Sequence, residues 1–194
     1  MCSKRERRRA CYESVSLWVF QRVPTKKRSA SINYLGVSMS TRCLIGYQKE
    51  NGEVESVYCH FDGYISGVGK MLVEHYGDET KIQKLVSGGD FRSLQVNISD
   101  IEYYDDASTI SRNEYCFVSD ADPQYHEYLY KFVSNNSKFR NSGYWQVSQA
   151  KKVEVEDGYK EFAYYYSMFE KVQTLVTEIE QANETRRGAD NGRV

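Results

Sequence analysis

Apolar and polar positions alternate at two different periods along this chain, and the changes of period mark its elements. "TRCLIGYQ" (41–48) and "VESVYCH" (54–60) alternate with the two-residue period of a strand. Between them lies "KENGE", whose Asn51-Gly52 pair tolerates positive φ, so the two strands are expected to form a hairpin. From Val68 the period lengthens. Val68, Met71, Leu72, His75 and Tyr76 fall on one face of a helix predicted over 66–76, with Ser66 able to cap it and Gly77 closing it. Asp78 can cap a second short helix, 79–87, that carries Ile82, Leu85 and Val86 and ends at "SGGD".

Further on, "SLQVNI" (93–98) and "EYCFV" (114–118) read as strands separated by an acidic loop around Asp105-Asp106. In "YHEYLYKFV" (125–133), His126, Tyr128, Tyr130 and Phe132 share one face, and Glu127, Leu129, Lys131 and Val133 the other. "SNNSKFRNSG" is a loop and "YWQVS" (144–148) the return strand. Phe162, Tyr165, Phe169, Val172, Val176 and Ile179 are spaced 3-4-3-4-3, which predicts a long helix over 159–182 lying across a sheet. The expectation is an α+β fold. A single domain over 39–182 would hold an antiparallel sheet, two short helices and a long C-terminal helix, followed by a disordered polar tail, 183–194. No internal repeat is present.

Composition changes this picture in four places. Tyr occurs 17 times in 194 residues, which suits half-buried strands or a binding surface, because its ring is apolar and its hydroxyl needs a partner. The cysteines number five and form no C-x-x-C pair, so a disulfide framework or a structural zinc site is not expected and a reducing, cytoplasmic setting fits. With a mean hydropathy of −0.67 and no apolar run of membrane length, no membrane span is expected; "SLWVF" is too short for a signal peptide. The fourth point is charge. Residues 1–38 carry a net +7 and residues 39–194 a net −8, which together give the chain's −1. Either "KRERRR" (4–9) and "KKR" (26–28) form a basic arm for nucleic acid or an acidic partner, or Met39 is the natural start and 1–38 an upstream extension.

The chemistry concentrates at "VYCHFDGYISGVGK" (57–70). Strand alternation turns Val57, Cys59 and Phe61 to the core and Tyr58 and His60 away from it, with Asp62 joining them if the strand continues. Cys59 then reads as a small buried hydrophobe. Tyr58, His60 and Asp62 could form a polar cluster in which the carboxylate orients the imidazole, as a general base or a binding group requires. The plainer alternative is a surface histidine and a turn aspartate. Gly63 and Gly69 are one residue too far apart for a P-loop, and Met71 stands where a hydroxyl is needed. What remains is an anion at the amides following Ser66, with Gly67 and Gly69 permitting close approach, or glycines that only let the helix pack tightly. His75, on the apolar stripe, reads as a hydrogen-bonded core residue. His60, Asp62, His75 and His126 lack ligand spacing, so neither a metal nor a cofactor is assigned, and Asp120 and Asp122 read as solvated loop acids.

Residues 39–94, "MSTRCLIGYQKENGEVESVYCHFDGYISGVGKMLVEHYGDETKIQKLVSGGDFRSL", resemble a group of short uncharacterised proteins of tailed phages and prophages. These typically begin with a Met-Ser-Thr-Arg strand, continue with Tyr-Cys-His-Trp-Asp-Gly-Tyr and a helix ending Leu-Glu-His-Tyr, and then show Gly-Asp-x-Ser-Ser-Leu. Here Phe61 replaces the Trp and "FRSL" the usual ending; the resemblance does not extend to 95–194. It implies Met39 as the start and a phage or prophage setting, hence a host cytoplasm, and supplies no reaction. The expected function is a non-enzymatic accessory module that binds a host protein or small anionic ligand. The alternatives are a small enzyme or nucleotide-binding protein using the Tyr58/His60/Asp62 corner, and nucleic-acid binding through 1–38.

Overall fold

The hairpin forms where the alternation places it. β1 (Cys43–Gln48) and β2 (Val54–Cys59) pair antiparallel from Gln48–Val54 to Cys43–Cys59, and Gly52 turns the chain at φ 86°. The computed structural model describes residues 40–104, 107–134, 143–157 and 159–191, without side chains for 154–162 and 186–191. The basic segment 1–38, Met39 and the Asp105-Asp106 pair lie outside the described residues.

After β2 the chain turns through a π-helical turn, Ile65–Gly69, into α1 (Lys70–His75), and then enters α2 (Glu79–Ser87). Asp78 caps α2 as its position suggests, accepting a hydrogen bond from the Lys81 amide. β3 (Thr109–Ser111) and α3 (Glu114–Asp120) follow, then β4 (Tyr128–Ser134), β5 (Gly143–Asp157), β6 (Tyr159–Tyr166), β7 (Glu170–Lys171) and α4 (Val172–Asn191).

The α+β expectation holds, with one change of topology. The sheet runs β3-β2-β1-β4-β5-β6, with β7 also on β5, and β1 pairs with β4 in parallel, Cys43 facing Tyr128. The sheet is therefore mixed. A parallel neighbour requires a long crossover, here everything from β2 to β4.

Both faces of the sheet are covered. Cys43, Ile45, Tyr47, Val57, Cys59, Tyr130, Phe132, Trp145 and Val147 meet Val68, Leu72, Ile82, Leu85 and Val176 in the main core beneath α1, α2 and α4. On the other face Val54 and Leu129 meet Phe117 of α3 and Ala121 just past its end. The alternation of "YLYKFV" is observed, but the second face is not wet: Lys131 is 2% exposed and pairs with Glu114, with its ammonium 4.8 Å from the Phe169 ring centroid.

Three expected elements differ. "SLQVNI" is not a strand; it bends into a single 3-10 turn, Ile98–Asp100. "EYCFV" is helical because Asn113 caps α3, accepting from the Cys116 amide, and only Phe117 of its first turns is fully buried. The long helix begins at Val172 rather than 159. Residues 159–166 are the strand β6, which pairs with β5 from Asp157–Tyr159 to Ala150–Tyr166. Only the Val172, Val176 and Ile179 part of the stripe is helical, and it packs on the main core. At the far end α4 continues to Asn191, so the segment expected to be an irregular tail is helical as far as that residue.

Candidate functional site

The corner lies where β2 ends. Cys59 is fully buried, while Tyr58 and His60 are half-buried and turned the other way. β2 stops at Cys59, so Phe61 does not follow Val57 and Cys59 into the core. Its ring stands edge-on to His60 at 4.5 Å, with the Arg92 guanidinium 5.5 Å from its centroid. The chain is held there from outside the hairpin: the Tyr58 amide donates to Asp90 Oδ1 at 2.7 Å, and the Phe91 amide to the Tyr58 carbonyl at 2.9 Å.

Tyr58 and His60 are brought together. The Tyr58 hydroxyl lies 2.6 Å from His60 Nδ1 and 3.3 Å from the Tyr125 hydroxyl. The Tyr58 and Tyr125 rings stack at 5.7 Å, the Arg42 guanidinium lies 4.5 Å from the Tyr125 centroid, and the His126 ring stands edge-on to both tyrosines. Burial first, and then the Tyr125 hydroxyl, push the Tyr58 phenol well above its ordinary pKa, so it keeps its proton and can donate to His60. His126 is held below the usual histidine value, chiefly by burial and also by Arg42, against the opposing pull of Asp122.

Asp62 is not part of this cluster. It takes positive φ, 58°, its side chain is exposed, and its carboxylate makes no hydrogen bond to His60 or to any other described residue. The carboxylate–imidazole geometry of a general base is therefore not formed. Ser66 does not cap a helix either; it is exposed within the π-helical turn, which starts after Tyr64 without a side-chain cap. The amides expected to cradle an anion are already engaged: Gly67 and Gly69 donate to the Tyr64 carbonyl and Val68 to the Asp62 carbonyl.

The glycines are explained by packing. A Cβ at Gly67 would lie 2.4 Å from the Asp62 carbonyl oxygen, one at Gly63 2.9 Å from that of Thr41, and one at Gly69 3.2 Å from the Tyr130 hydroxyl. That hydroxyl donates to the Gly63 carbonyl at 2.8 Å, fixing the corner to the sheet. His75 is exposed beside Glu74 rather than in the core. The Asp120 carboxylate accepts from the Ser111 hydroxyl and that of Asp122 from the Gln124 amide. Among the described residues no group of three or more His, Cys, Asp or Glu is placed to hold a metal, and no helix is long and apolar enough to cross a membrane.

Arg42, Tyr125 and His126 were not legible as site residues. They come from segments more than eighty positions apart, joined by the parallel β1–β4 pairing, and the Glu127 amide donates to the Arg42 carbonyl there. A surface hollow of about 490 Å³ lies elsewhere, between α2 and the hairpin, lined by Tyr47, Lys49, Glu55, Gln83 and Lys84. No protein-family model, no curated protein and no solved structure matches the chain.

Proposed function

We propose that the chain is a non-enzymatic binding module of phage or prophage type that docks on a host protein through the Tyr58–His60 corner. One observation carries this reading: Tyr58, Tyr125, His60 and His126 are packed ring against ring with Arg42 over the end of the stack. Tyr and Arg are the side chains in which binding energy concentrates at protein interfaces, because they offer large contact area for few rotatable bonds. Tyr125 remains 43% exposed, which leaves area for a partner to cover. His60 has a phenol rather than a carboxylate as its partner, which suits orientation of a binding group better than proton abstraction. The net −8 of residues 39–194 favours a partner with a basic surface.

The test is affinity capture from extracts of a bacterial host with three baits: the wild-type chain, Tyr125→Ala and Arg42→Ala. Circular dichroism would confirm that each bait is folded. The reading requires a protein retained by the wild-type chain and lost from both variants. Equal retention by all three baits would refute it, as would recovery of nucleic acid in place of protein.

A further inference from the structure

We propose that Cys43 and Cys59 form a reversible dithiol–disulfide pair that clamps the open end of the hairpin. They are direct cross-strand partners, the first residue of β1 against the last of β2. Both are completely buried in the main core, on one face of the sheet.

The hydrogen-bond phase of the hairpin defines how they face each other. The Lys49 amide donates to the Glu53 carbonyl, so every second pair back from the turn exchanges backbone hydrogen bonds, ending with Cys43–Cys59. The intervening Tyr58 agrees with this, since its amide and carbonyl point away from β1 to Asp90 and Phe91. Partners in such a pair have Cα atoms about 5.5 Å apart, inside the range of roughly 4.4–6.8 Å that a disulfide spans. The pair is thus placed to close a disulfide without moving the strands apart.

Burial, and next the neighbouring Cys59 thiol, raise the Cys43 thiol well above its ordinary pKa, and the Cys59 thiol donates to the Phe61 carbonyl at 3.3 Å. The first lowers the thiolate fraction and so slows attack on an oxidant, and the second engages the Cys59 thiol. Oxidation requires a small-molecule disulfide such as glutathione disulfide. One cysteine thiolate attacks a glutathione sulfur; the glutathione S–S bond breaks and a glutathione thiolate leaves and takes up a proton. The second cysteine, losing its proton, attacks the mixed disulfide and releases the second glutathione. Two electrons pass from the pair to the oxidant. Because the sulfurs are enclosed, exchange requires the strand ends to part and is slow in the native state. Cys116, on α3 beneath the opposite face, is not a partner of either. Closure would tie together the backbone from which Arg42 and His60 emerge.

The experiment exposes the full chain to a series of glutathione disulfide to glutathione ratios, with and without mild urea, followed by acid quench, alkylation, intact mass and peptide mapping. Oxidation should remove two hydrogens and yield a peptide joining Cys43 to Cys59, reversed by excess glutathione. The same product should form when Cys2, Cys11 and Cys116 are all changed to Ser, and urea should accelerate it several-fold. Cys59→Ala should allow only a glutathione adduct on Cys43. The proposal is overturned if both thiols remain alkylatable at every ratio, if bridges form only with other cysteines, or if excess glutathione fails to reopen the bond.

Discussion

Two buried or half-buried ionisable side chains set the energetics around the corner and on the α3 face. His126 is neutral in the fold because burial disfavours its charged form. Its folded pKa lies below the unfolded value, so the unfolded chain takes up a proton first as pH falls. Stability is full above the ordinary histidine value and is lost as pH drops through the lowered one. Melting temperatures measured from about pH 7.5 to about pH 5 should therefore decline, and His126→Gln should flatten that decline. An unchanged slope would mean that His126 is not the titrating group. Lys131 presents the opposite case, a buried charge kept by a partner. Glu114→Ala would strand the ammonium and should cost about 2 kcal/mol, less than the roughly 3–5 kcal/mol of a fully buried pair because Glu114 is half-exposed. Lys131→Met, which removes the charge and keeps the volume, should stay within about 1 kcal/mol of wild type in urea unfolding.

Among the elements, the glycine corner separates close packing from mere flexibility. Gly67→Ala places a Cβ 2.4 Å from the Asp62 carbonyl oxygen and should cost about 1–3 kcal/mol, whereas a Cβ at Gly77 meets nothing within 4 Å, so Gly77→Ala should change stability by less than about 1 kcal/mol. Urea denaturation of the pair checks both; equal effects would refute the packing account. Legibility followed the same line. The hairpin, the Asp78 cap and the inward turn of Cys59 are written locally, in a turn dipeptide, a capping side chain and a two-residue period. "EYCFV" misled because aromatic and β-branched residues favour strands, while the deciding signal, Asn113 as a cap, sits one residue upstream. Residues 159–166 misled because three- and four-residue spacings of aromatics also fit a tyrosine-rich strand, and only pairing with β5 chooses between them. Asp62 falls outside the expected cluster because β2 ends three residues before it and the chain there turns to positive φ.

For the molecule as a whole, β1 is the structural centre, with β2 on one side and β4 on the other. Hydrogen exchange should be slowest at the amides of β1 and fastest among the strands at β3 and β6, the two ends of the sheet. Faster exchange in β1 than in β6 would contradict the strand order. The binding corner depends on the same arrangement: Arg42 belongs to the approach to β1 and Tyr125 to the approach to β4, so no local motif could have announced their meeting.

The parallel alignment of β1 with β4 also imposes an order on biosynthesis. A ribosome must translate some eighty further codons after the first strand before its second neighbour exists. Until then a nascent polypeptide carries a two-stranded ribbon with one flank open, and any extended peptide in the cell could occupy the place reserved for β4.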